Sequence, residues 1–161
     1  MIRNTVRALR LDPQLYEAVE ADPAYTVQAV VIVVVTAFLA GVPDWWGAAD
    51  GSIPETVRTI IAAVILWVVW SSVTLIIGTR LFEGDSDFGQ MSRVLGFASA
   101  PRALFVFGGL GVILGAVWMM LAGFMAVRQG LDLGWLQAAA TIVLGLFPAA
   151  AIYFVVTGVV L

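Results

Sequence analysis

Glu83, Asp85 and Asp87 alternate with other residues in one turn-like stretch, and they form the densest group in the sequence that could move a proton or hold a cation. Acid–base work on a substrate needs a nucleophile, a metal set or a glycine phosphate loop nearby, and none accompanies these carboxylates. A calcium loop needs further ligands in register, which this cluster lacks. Cysteine, histidine and lysine are absent, so the eight arginines are the whole basic complement. That composition removes disulfides, zinc clusters, thiol nucleophiles, imidazole bases and Schiff-base amines. No catalytic, cofactor-binding or metal-ligating residue is assigned, and no enzyme activity is expected.

The elements that must carry these charges are apolar. Hydrophobic residues make up 61% of the chain and charged residues 12%, with a mean hydropathy of +1.01. Such a chain has lipid as its solvent. Charges punctuate it at long intervals: 21 uncharged residues separate Asp22 from Asp44, 21 separate Arg58 from Arg80, 25 separate Arg102 from Arg128, and 29 follow Asp132. At about 1.5 Å of rise per residue, roughly 20 residues cross a hydrocarbon core of about 30 Å. The runs do not alternate apolar and polar residues as barrel strands would, so helices are expected. With a net charge of −3 and no dense basic stripe, no nucleic-acid partner is expected.

Residues 1–22 read as a cytoplasmic amphipathic segment, neither signal peptide nor span. Ile2, Val6 and Leu9 recur beside Arg3, Arg7 and Arg10, which suits a helix in the headgroup layer with those arginines on lipid phosphates. Asp12-Pro13 and Asp22-Pro23 are N-cap and N1 signals opening a second short helix and then the first span. Residues 23–161 form the membrane domain, with spans expected at about 24–42, 54–79, 88–107, 110–127 and 134–161. Trp45 and Trp46, in the loop over 43–55, should rest at the interface. Ser71, Ser72 and Thr74 should bond to backbone carbonyls or to a neighbouring helix, and Ser86 or Asp87 should cap the helix that follows.

The stretch from Phe88 to Arg128 is about 60 Å long as one helix, so it must break. A break at Gly108, Gly109 and Gly111 gives a bundle of five transmembrane helices. A break at Pro101 gives four plus an interfacial helix. Arginine placement puts the N-terminus in the cytoplasm and, with five spans, the C-terminus outside a plasma or inner membrane. The last helix should tilt or bend at Pro148.

A phenylalanine-bearing acidic turn leads into Gln90-Met91-Ser92-Arg93-Val94-Leu95-Gly96-Phe97-Ala98-Ser99-Ala100-Pro101, and Val117-Trp118 and Ala126-Val127-Arg128-Gln129-Gly130-Leu131-Asp132 follow. With these motifs, and with Leu15 to Pro23 before the first span, the chain resembles the Yip1 family over nearly its whole length. Phenylalanine stands at position 97, where tyrosine is common in that family. The resemblance implies five transmembrane helices and a cytoplasmic N-terminus, favouring the glycine break. Eukaryotic relatives act in vesicle traffic and associate with small GTPases through an N-terminal region. Here that region is only about 22 residues, so the trafficking role is not carried over, and the resemblance supplies no catalytic residue.

Three functions from different classes are ranked on this basis. A membrane scaffold or adaptor, in membrane organisation or a trafficking-like process, comes first, a small transporter or channel second, and an intramembrane enzyme last. The scaffold expectation rests on Gly111 and Gly115, a GxxxG spacing that admits close helix packing, and its partners are membrane lipids, a second copy or other membrane proteins. Arg102, Pro101 and Gly96 are the candidate intramembrane polar or kink site. Arg102 should face protein, water or a headgroup, because an arginine at the bilayer centre is disfavoured by about 2.5 to 3.5 kcal/mol. One candidate contact is the Phe97 carbonyl, which Pro101 deprives of its helical donor.

Overall fold

A computed structural model of the chain describes residues 1–42 and 53–160, and every regular element among them is helical. The helices are α1 (Ile2–Leu9), α2 (Pro13–Ala21), α3 (Thr26–Gly41), α4 (Ile53–Phe82), α5 (Phe88–Ala98), α6 (Gly109–Gly130) and α7 (Trp135–Val160). A 3-10 turn, Pro23–Tyr25, leads into α3, and a longer 3-10 segment, Ala100–Phe107, joins α5 to α6. The expected interfacial tryptophans, Trp45 and Trp46, lie outside the described residues.

Local chemistry sets most of the boundaries. The Asp12 carboxylate accepts from the Gln14 N–H at 3.1 Å and Asp22 from the Ala24 N–H at 2.8 Å, each followed by proline at the first helical position. Asp87, rather than Ser86, caps α5. It accepts from the Gln90 N–H at 2.8 Å while the Gln90 side chain accepts from the Asp87 N–H at 2.7 Å, a reciprocal capping box. Leu11 and Asp132 take left-handed backbone at φ 57° and 51°. They let the Asp12 and Leu133 N–H groups reach back to the Arg7 and Arg128 carbonyls and close α1 and α6.

Four stretches among the described residues are long and apolar enough to cross a membrane: Pro23–Gly41, Thr56–Phe82, Gly109–Gly130 and Trp135–Val155. The remaining expected span, 88–107, is a broken rod, and both expected breaks are present in it. Pro101 has no N–H to continue the helical ladder, so α5 ends at Ala98 and the chain tightens into 3-10 geometry. At Gly108 the chain reverses with φ 61° and ψ −160°, a conformation that glycine alone adopts readily.

The broken rod is central. Every residue from Met91 to Ala98 is buried, and α5 packs on α2, α3, α4 and α6, while the 3-10 segment packs on α3 and α6. The core joins Leu15, Tyr16 and Val19 of α2 to Met91, Val94 and Phe97 of α5 and to Ala122, Ala126 and Val127 of α6. Small residues set the separations: a Cβ at Gly96 would come 2.7 Å from the Ala29 Cβ on α3. As expected, Ser71, Ser72 and Thr74 donate to carbonyls one turn back, at 2.7, 2.8 and 2.7 Å. The α7 helix continues through Pro148.

Candidate functional site

Polar side chains gather at the two ends of the bundle. At the first end, α2 lies against α5 and α6, and α1 lies against α2, α5 and the 3-10 segment. Arg93, on α5, is only 7% exposed. Its guanidinium donates to the Val19 carbonyl at 2.9 Å and to the Glu20 carbonyl, so a cation closes the C-terminal end of α2, where helical carbonyls lack partners. The Trp118 indole donates to the Leu9 carbonyl at 2.8 Å, and the Gln129 amide to Glu17 at 2.9 Å. The Asn4 amide on α1 donates to Gln28 on α3 at 3.1 Å, so the short N-terminal helices are bonded to the bundle at four separate points.

The carboxylates at this end are spread over several elements. Glu20 is pushed up to about 7, first by burial, then by the charge of Asp132 with smaller contributions from Glu17 and Asp85; Arg93 opposes the rise. Asp87 serves as a cap, and Glu83 takes a left-handed backbone at φ 57° just past the end of α4. No group of three or more acidic residues poised for a metal occurs among the described residues.

The candidate headgroup arginines divide. Arg3 and Arg10 are exposed, as are Ile2 and Val6 beside them. Arg7 instead holds Asp12 at 2.7 Å, and that guanidinium, through the hydrogen bond first, lowers the Asp12 pKa. The pair ties the end of α1 to the start of α2.

Gly111 and Gly115 face their own chain. A Cβ at Gly111 would fall on the Leu104 carbonyl oxygen, and one at Gly115 would come 2.9 Å from the Pro101 carbonyl oxygen. The GxxxG face is therefore occupied by the 3-10 segment of the same chain. At Pro101 the Gly96 and Phe97 carbonyls accept backbone N–H donors at the end of α5, and Ser99 Oγ also donates to Gly96 at 2.6 Å. Arg102 makes no bond to Phe97. It reaches the second end of the bundle, where it lines cavities together with residues of α3, α4, α6 and α7.

A family model described as Yip1 domain matches residues 7–158. The chain belongs to the Yip1 family. No curated protein and no solved structure matches it. In this Yip1 domain the stretch 90–101 that carries the resemblance forms the buried α5 and the turn after it, and the Leu15–Pro23 stretch supplies the α2 core residues that α5 covers. Arg93, counted in the sequence only as a topological charge, is the buried link between those two segments. Its place within the quoted motif was the available signal. A Yip1 domain with these apolar helices is a multipass membrane protein.

Proposed function

We propose that this protein is a non-enzymatic membrane scaffold or adaptor with a role in membrane organisation, built on five crossings of a plasma or inner membrane. The observation that carries the proposal is the docking of α1 and α2. Arg93, Trp118 and Gln129 hold these helices as a fixed platform at one end of the bundle, with Glu17 exposed on it. A preorganised surface loses less conformational freedom on binding a partner than a loose tail does.

Dimensions support the fifth crossing. The 11 residues of α5 rise about 16 Å. The 8 residues of the 3-10 segment rise about 16 Å more, because that geometry advances about 2.0 Å per residue. The broken rod then matches the 22-residue α6, about 33 Å long, against which it runs antiparallel. Contacts between Glu17 and Gln129 and between Arg93 and Val19 support an N-terminal segment that shares an end with Arg93 and Arg128, and with Arg80 in the last turn of α4, whereas Arg58 stands near the start of that helix. An arginine excess of this kind marks the cytoplasmic side.

Purification of the full chain in mild detergent, with mass spectrometry of what accompanies it, tests the role. A protein retained by wild type and lost on Glu17→Arg supports the adaptor. Recovery of the same proteins with both forms, or of none, rejects it. Alkaline phosphatase fused after Leu161 should be active outside the cell if there are five crossings; a cytoplasmic, inactive fusion supports four.

A further inference from the structure

At the end of the bundle opposite α1 and α2, a cavity of about 400 Å³ is lined by Arg58 and Thr59 of α4, Arg102 of the 3-10 segment and Tyr153 of α7, among others. No Asp or Glu lines it among the described residues. At Leu66 and Arg102 it meets a second cavity of about 250 Å³. That second chamber extends toward the middle of the bundle between Trp67, Trp70, Met119 and Gly123, and apart from Ser99 and Arg102 its lining is apolar or aromatic. Arg58 sits in the second turn of α4 and Tyr153 two turns from the end of α7, so the cationic chamber is the one nearer the membrane surface.

This ordering of charge and apolar space along the helices is the ordering of a phospholipid in its leaflet. Arg102 is half-buried and makes no side-chain hydrogen bond or ion pair among the described residues. A guanidinium within a membrane bundle is costly unless carbonyls, water or an anion meet it, and a phosphate diester offers two oxygens to its planar fork. We propose that the two cavities form one site for an anionic phospholipid, with the phosphate against Arg102 and an acyl chain in the chamber beside Gly123. The site is separate from the arginines of α1, and it does not rest on the adaptor reading.

Native mass spectrometry of the full chain in detergent, titrated with phosphatidylglycerol, phosphatidylcholine or inorganic phosphate, tests the proposal. Phosphatidylglycerol should remain bound at least about tenfold more tightly than phosphatidylcholine, as expected for a charge-assisted contact inside the bundle. Arg102→Gln should remove that preference, and Arg102→Lys should keep part of it. Gly123→Leu fills the apolar chamber, starting from a Cβ that meets nothing within 4 Å. It should weaken phosphatidylglycerol several-fold in protein that still melts cooperatively without lipid. Arg3→Gln, on the exposed α1, should bind as wild type does. Equal retention of the two lipids, an unchanged preference in Arg102→Gln, unchanged binding in Gly123→Leu, or the same loss in Arg3→Gln would overturn the site. Inorganic phosphate competing as well as the lipid would overturn the acyl chamber and with it the phospholipid.

Discussion

Arg93 bonds to two backbone carbonyls, yet in the sequence it is one cation in a turn-proximal stretch. Its acceptors, the Val19 and Glu20 carbonyls, lie 74 and 73 residues away. Composition and periodicity act over a turn or two and cannot find such a partner. The caps at Asp12, Asp22 and Asp87 were legible because donor and acceptor stand within three residues of each other. Arg93→Ala should lower stability by about 2–3 kcal/mol, the range for a hydrogen-bonded buried charge. Arg93→Lys should recover only part of this, since an ammonium cannot fork between two carbonyls. Denaturant unfolding in detergent measures both, and earlier proteolysis near residue 22 should accompany the loss. Glu20 supplies a pH signature. Its folded pKa, about 7, lies above the ordinary 4.5, so the native state binds the extra proton between those values. The resulting stabilisation is complete below about pH 4.5 and is lost as pH rises through 7. Glu20→Gln should flatten this slope, and a melting temperature that still falls equally between pH 5 and 8 in the variant would show that Glu20 is not its source.

Among the elements, the broken rod of α5 and the 3-10 segment shows where sequence reading stopped. Length alone required a break between Phe88 and Arg128, and the proline and glycine positions both qualified. The chain uses both, for different ends: Pro101 changes the pitch, and Gly108 reverses the direction. Eight residues of 3-10 helix leave no periodicity distinct enough from an α-helix to be read in advance. Gly108→Ala isolates the reversal, because no atom lies near the new methyl and only the φ of 61° resists it. A loss of about 1–3 kcal/mol is expected on that ground. Gly115→Ala should cost a similar amount for another reason, overpacking against Phe105 and the Pro101 carbonyl. If Gly115→Ala melted as wild type does while reducing self-association, the face would belong to a second copy.

Across the whole molecule, the outer helices read cleanly from hydropathy, and the observed α4, α6 and α7 begin and end within a few residues of expectation. The α1 stripe was legible in part: Ile2 and Val6 are exposed at 81% and 41% beside Arg3 and Arg10, while Arg7 turned inward to Asp12. A peptide of residues 1–21 should gain helicity on anionic vesicles at low salt, with circular dichroism unchanged on zwitterionic ones. What hydropathy missed is the interior, since a segment sheathed by other helices need not be as apolar as lipid. The same property bears on biogenesis. A nascent chain ending at Phe107 presents α5 and the 3-10 segment to the bilayer without α6, the helix on which both pack. Such a fragment should fail to integrate its last segment in a glycosylation-mapping assay, whereas one ending at Gly130 should succeed, the two limbs entering together as a hairpin.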